Sequence, residues 1–136
     1  MRPPDEVKRD FVRQWLRKAE ADLGAADLLA RHDPYLTDVV CFHAQQAAEK
    51  YLKAVLVHHQ VEFRKIHDIA QLLDLVAAVD PPGAASMRDA GKLSAYAVQV
   101  RYPTATPEAS VEDAAAAIAV AREVRETVLR LLGIAA

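Results

Sequence analysis

One stretch of this chain carries more chemistry than a helix surface usually does. It reads Phe42-His43-Ala44-Gln45-Gln46-Ala47-Ala48-Glu49-Lys50-Tyr51-Leu52-Lys53-Ala54-Val55-Leu56-Val57. On a helical wheel, at ~100° per residue, His43, Gln46, Lys50 and Lys53 fall in one stripe, with Gln45 and Glu49 beside it. Val40, Cys41, Ala44, Ala47, Ala48, Tyr51, Leu52, Ala54 and Val55 fill the other half. Val39, Phe42, Leu56 and Val57 interleave with the polar groups. A solvated face would hold fewer apolar residues, and a core face fewer amides and charges. The mixture suits a central helix whose second face meets a partner or a ligand. Phe42, His43, Gln46, Glu49, Leu56 and Val57 are therefore candidate partner-facing residues. The competing reading is a solvent face with ordinary pairs at four-residue spacing, Gln45/Glu49 and Glu49/Lys53.

The chemistry such a stripe offers is anion binding. Lys50 and Lys53 sit on adjacent turns of one side. Seventeen Lys and Arg stand against nineteen Asp and Glu, a net charge of −2. A general nucleic-acid surface needs a basic excess, so any phosphate contact here must be local. His67, followed by Asp68 at the start of a short helix, reads either as a phosphate donor or acid/base group, or as the neighbour of a simple helix cap.

Other reactive patterns are missing. His58 and His59 are adjacent, so on a helix they point about 100° apart and cannot readily share a metal. The single cysteine, Cys41, allows neither a disulfide nor a Cys-based zinc site and reads as a buried thiol. There is no glycine-rich phosphate loop and no Ser-His-Asp logic. No metal and no cofactor is expected.

The elements that position these residues read as helices. Val12, Trp15, Leu16, Ala19, Leu23, Ala26 and Ala30 step by three and four, predicting a first helix from Asp5 or Asp10 to Arg31. The second spans about Thr37 to His59. A short third, about Asp68 to Val79, buries Ile69, Leu72, Leu73 and Val76. A fourth, about Ala84 to Val100, carries Met87, Leu93, Tyr96, Ala97 and Val100. A fifth runs from Pro107 or Val111 to Leu132, with Ser110 offering a cap and Gly133 a stop. Breaks fall at Asp33-Pro34, Gln60 to His67, Asp80-Pro81-Pro82-Gly83 and Tyr102-Pro103 to Pro107. No period-two alternation predicts a strand. The expectation is an all-α, up-down four-helix bundle with one short additional helix, a single domain over residues 1–136. No apolar run approaches the ~18 residues of a membrane span. Nothing behind Met1-Arg2-Pro3-Pro4-Asp5 resembles a signal peptide. A cytoplasmic protein is expected.

The second-helix run Phe42 to Ala54 resembles the helix-2 signature of the HEPN family. Ile66-His67-Asp68-Ile69 with Leu72-Leu73 looks like its His-Asp-Leu segment. Arg101-Tyr102-Pro103 is similar to the element closing helix 4 in the branch that accompanies minimal nucleotidyltransferases. Trp15-Leu16-Arg17-Lys18-Ala19-Glu20-Ala21-Asp22-Leu23 matches the first helix in character. The resemblance implies a five-helix bundle, usually a homodimer, associated with nucleotide, RNA or a nucleotidyltransferase partner, often as a toxin–antitoxin pair. It also brings Arg101 toward Lys50 and Lys53, with His67 and Tyr102 completing a phosphate and base site, and leaves Lys18 outside that cluster. Many relatives are metal-independent ribonucleases whose motif is an Arg, four to six residues, then a His. Here no His follows His67, so Arg101 starts no such motif. Binding is thus expected over catalysis. The alternatives are a ribonuclease toxin using Arg101 with Lys50, Lys53 or His67 in place of the missing His, and a scaffold dimer with no ligand.

Overall fold

The computed structural model describes residues 3–96 and 108–135. The elements are α1 (Pro4–His32), α2 (Thr37–His58), α3 (Ile69–Val79), α4 (Pro81–Ser86), a 3-10 helix (Arg88–Ala95) and α5 (Val111–Leu131). Among the described residues there is no strand, and the architecture is the expected all-α bundle.

α1 opens on Pro4, where a missing N–H costs nothing, with Asp5 and Glu6 at the positive end of the dipole and Arg31 and His32 at the negative end. Val12, Ala19, Leu23 and Ala26 turn inward. Asp33 ends the helix, and its carboxylate accepts from the Tyr35 N–H at 3.0 Å, which turns the chain toward α2. Along the pair, Asp22 meets His43 and Lys50, Glu20 meets Tyr51, and Trp15 meets Lys53. Lower numbers on α1 meet higher numbers on α2, so the two are antiparallel. Arg125 donates to Glu20 and Arg122 to Asp27, which sets α5 antiparallel to α1. The Ala109 N–H donates to Asp38 at 2.8 Å, tying the entry of α5 to the first turn of α2.

α2 is the centre of the molecule, packed by α1, α3 and α5. Ala44, Ala47, Ala48 and Ala54 let the neighbouring backbones close in, while Tyr51, Leu52, Val55 and Leu56 fill the space between them, all fully buried. The Tyr51 hydroxyl donates to Glu20 at 2.7 Å, so the one polar atom of this buried ring is satisfied. Both α2 and α5 end in the same reversal. After α2, Val61 N–H reaches Leu56 O at 2.9 Å and Gln60 N–H reaches Val57 O at 3.0 Å. After α5, Ile134 N–H reaches Leu129 O at 2.8 Å and Gly133 N–H reaches Arg130 O at 3.1 Å. The residue at the bend has positive φ in each, Gln60 at 59° and Gly133 at 70°. Ser110 and Asp113 form a reciprocal capping box at the start of α5.

The expected fourth helix, Ala84 to Val100, is not continuous. Over its described part it divides into α4 and the 3-10 helix, so the described residues hold six helical elements where five were expected. Pro81 and Pro82, read as a break, instead occupy the first turn of α4, and Asp80 caps it by accepting from the Gly83 N–H at 3.0 Å. Met87, Ala90 and Leu93 are all buried. Three-residue steps align on one side of a 3-10 helix, whereas an α-helix would swing each by about 60°. Ala97 and Val100 lie outside the described residues.

Candidate functional site

α1 and α2 border a groove of about 410 Å³, with Trp15 and Lys18 on the α1 side, Gln46, Glu49, Lys50 and Lys53 on α2, and His67 from the link before α3. Lys53 lies at its floor. The ammonium pairs with Glu49 at 3.0 Å, both side chains about 95% removed from solvent at 6% and 5% exposure. It also stands 5.3 Å from the Trp15 ring centre and 5.6 Å from that of Phe63, and those rings meet edge to face at 5.8 Å. Aromatic faces attract a desolvated cation, so Lys53 is held by one carboxylate and two rings.

Glu49 organises the rest. Its Oε1 accepts from Gln45 at 3.2 Å, and Gln46 in turn donates to Gln45 at 2.7 Å. Its Oε2, besides taking Lys53, lies 3.2 Å from His67 Nδ1. Lys53 Nζ is 3.4 Å from the same ring nitrogen. Once Nδ1 carries the proton shared with Glu49 it cannot accept from Lys53, and Nε2 becomes the free nitrogen of a ring that is 71% exposed. Lys50 pairs with Asp22, which also meets His43 Nδ1 at 2.9 Å. Lys18 is exposed and makes no ion pair among the described residues. Three lysines thus face two carboxylates, leaving a modest positive excess beside an aromatic wall.

The structure therefore brings together Lys50, Lys53 and His67 of the expected phosphate cluster. Arg101 and Tyr102 lie outside the described residues. Of the candidate partner-facing residues, Gln46 and Glu49 line this groove, Glu49 being buried. His43 is half-buried on Asp22, with the Phe42 ring 5.7 Å away, and Val57 is half-buried. Leu56 is corrected: it belongs to the core, because α2 is covered on several sides and that position points inward. Lys18 is also corrected, since it stands on the groove. Sequence reasoning missed Trp15, Lys18 and Phe63. A signal for the first two existed in the α1 stripe Trp15, Lys18, Asp22, which an antiparallel hairpin must set against His43 to Lys53.

Cys41 takes no part in the groove. Burial, then the nearby Asp38 and Asp113, push its thiol up to about 11, so it is protonated at neutral pH.

An α-helical bundle with this central helix matches the family model of the HEPN domain over residues 12–131, and the chain belongs to the HEPN domain family. No match was found among curated proteins or among solved structures. Membership makes it, in general terms, a nucleotide- or RNA-related module. Among the described residues no helix is long and apolar enough to cross a membrane.

Proposed function

We propose that this chain is a HEPN binding module for nucleotide or RNA, working as a homodimer in the cytoplasm with a minimal nucleotidyltransferase partner, in a toxin–antitoxin type arrangement. The observation that carries the binding reading is the convergence of Lys50, Lys53 and His67 on one groove walled by Trp15. A phosphate group meets the Lys18 ammonium at the rim, with Lys50 beside it, and accepts from His67 Nε2 when both ring nitrogens carry protons. A base stacks on Trp15. Lys53 is tied to Glu49, so it contributes field rather than a free hydrogen bond. The dimer and the partner rest on the family resemblance, with Phe42, His43 and Val57 as the half-buried α2 surface available to them.

The ribonuclease reading is favoured by one contact, Glu49 against His67 Nδ1. A carboxylate that fixes an imidazole leaves the other nitrogen to move a proton. Purification from native cells, with mass spectrometry of bound protein and nucleic acid, tests the binding proposal. A nucleotidyltransferase and nucleotide in the same peak support it; a ligand-free chain without that partner opposes it. Metal-independent RNA cleavage lost in His67→Ala would establish the second reading in its place.

A further inference from the structure

A second groove, of about 510 Å³, lies on another side of α1. Arg9, Arg13 and Arg17 line it, over a floor that includes Leu16, Leu132 and Ile134. On the α1 wheel these arginines stand roughly opposite Trp15 and Lys18, at ~100° per residue, so the two grooves share a helix but not a face. Arginines four residues apart rise by about 6 Å per step, so the three span about 12 Å.

These guanidiniums are little used within the chain. Arg9 and Arg17 make no ion pair among the described residues, and Arg13 reaches Asp10 only at 3.9 Å. The carboxylate that lines the groove, Glu20, is already occupied by the Tyr51 hydroxyl at 2.7 Å and by Arg125 at 2.6 Å. His58, also on the groove, has its pKa lowered by burial and by His59 and Lys8, which disfavours its charged form. In a chain of net charge −2, this is a local basic concentration over an aliphatic floor.

From this pairing of charge and apolar surface we infer that the groove docks an acidic amphipathic helix of a partner protein. Carboxylates four residues apart on that helix match the arginine spacing, and an Arg fork grips both oxygens of a carboxylate. Aliphatic side chains between them cover Leu16 and Ile134, the latter 40% exposed. RNA suits the groove less well, since among the described residues no Phe, Tyr or Trp ring lines it for a base to stack on.

The test uses the full chain and a dye-labelled synthetic helix with glutamates four residues apart and leucines between, followed by fluorescence anisotropy. Expected is saturable binding that weakens with salt and falls about tenfold or more in Arg13→Glu with Arg17→Glu. The neutral pair Arg9→Gln with Arg17→Gln, checked by circular dichroism for an unchanged fold, should lose affinity in the same direction. Ile134→Ser should weaken binding, and Arg88→Glu, on the 3-10 helix, should leave it unchanged. A lysine-for-glutamate twin should not bind. The inference is overturned by absence of saturable binding, by equal binding of the twin, by arginine variants that bind as the parent does, or by an oligouridylate that binds this groove more tightly than the peptide.

Discussion

Glu49 and His67 stand 3.2 Å apart across eighteen residues of sequence, one buried in α2 and the other exposed before α3. That carboxylate also takes Lys53 and Gln45, so a single side chain sets the floor of the groove and the ring at its mouth.

Its removal should be costly. Glu49→Ala leaves the Lys53 ammonium buried without its carboxylate, beside two ring faces and the His67 ring nitrogen at 3.4 Å. Breaking a buried pair by removing one partner typically costs about 3–5 kcal/mol, and urea unfolding should show a loss in that range. Glu49→Leu combined with Lys53→Met should recover most of it. A loss under about 1 kcal/mol for the single variant would mean that the pair is solvated.

Alkaline pH should weaken the fold through Cys41. Its folded pKa, up to about 11, exceeds the ordinary 9.0. The folded state therefore keeps the proton where the unfolded state has lost it, and the contribution is complete below pH 9.0 and disappears as pH rises through about 11. Burial raises the Tyr51 phenol in the same direction. Urea midpoints measured from pH 8 upward should fall across that window, and less steeply in Cys41→Ala. An identical slope in the variant would assign the loss to other groups.

Two backbone positions should respond with opposite signs. A methyl group at Gly83 would stand 2.7 Å from the Asp80 carboxylate oxygen and 3.0 Å from a Leu131 methyl, so Gly83→Ala should displace the α4 cap and destabilise by about 1–2 kcal/mol. Gln60 holds a left-handed φ of 59° that glycine adopts freely, and Gln60→Gly should stabilise by up to about 1 kcal/mol. Thermal melts of the two variants check both signs.

Much of this was legible in the chain. The stripe from Val12 to Ala30, the central helix and the Ser110 cap follow from three- and four-residue spacing and local capping chemistry. The division of the fourth helix was harder, because Met87, Ala90 and Leu93 step by three, a period that fits a poor α-helix as well as a 3-10 turn. The site was half visible. Lys50 and Lys53 share a turn-to-turn stripe that any wheel displays. Their ion-pair partners come from both ranges of separation: Glu49 lies within the same helix, while Asp22 comes from α1. Only the packed register of α1 against α2 shows that, among the described lysines of this groove, Lys18 is left without an ion pair while Lys50 and Lys53 are engaged. Leu56 misled because a helix with neighbours on several sides has no single apolar face.

RNA cleavage should be absent. The chain lacks the Arg-to-His motif of the ribonuclease relatives, and Lys50 and Lys53, which would have to stand in for the missing His, are already paired with Asp22 and Glu49. Incubation of the purified chain with single-stranded RNA and with tRNA, without metal, should leave both intact on a denaturing gel. Cleavage that follows the protein peak and disappears in His67→Ala would contradict this.

The central claim is that the Trp15–Lys53 groove holds a phosphorylated ligand. Calorimetric titration of the purified chain with a nucleoside monophosphate, and with a short oligoribonucleotide, tests it most directly. Saturable heat with at least one of them is expected, weakening with salt, with affinity falling several-fold in Lys18→Ala and Lys50→Ala and unchanged in Arg88→Ala. No heat with either ligand, or binding indifferent to salt and to Lys18→Ala, would contradict the account.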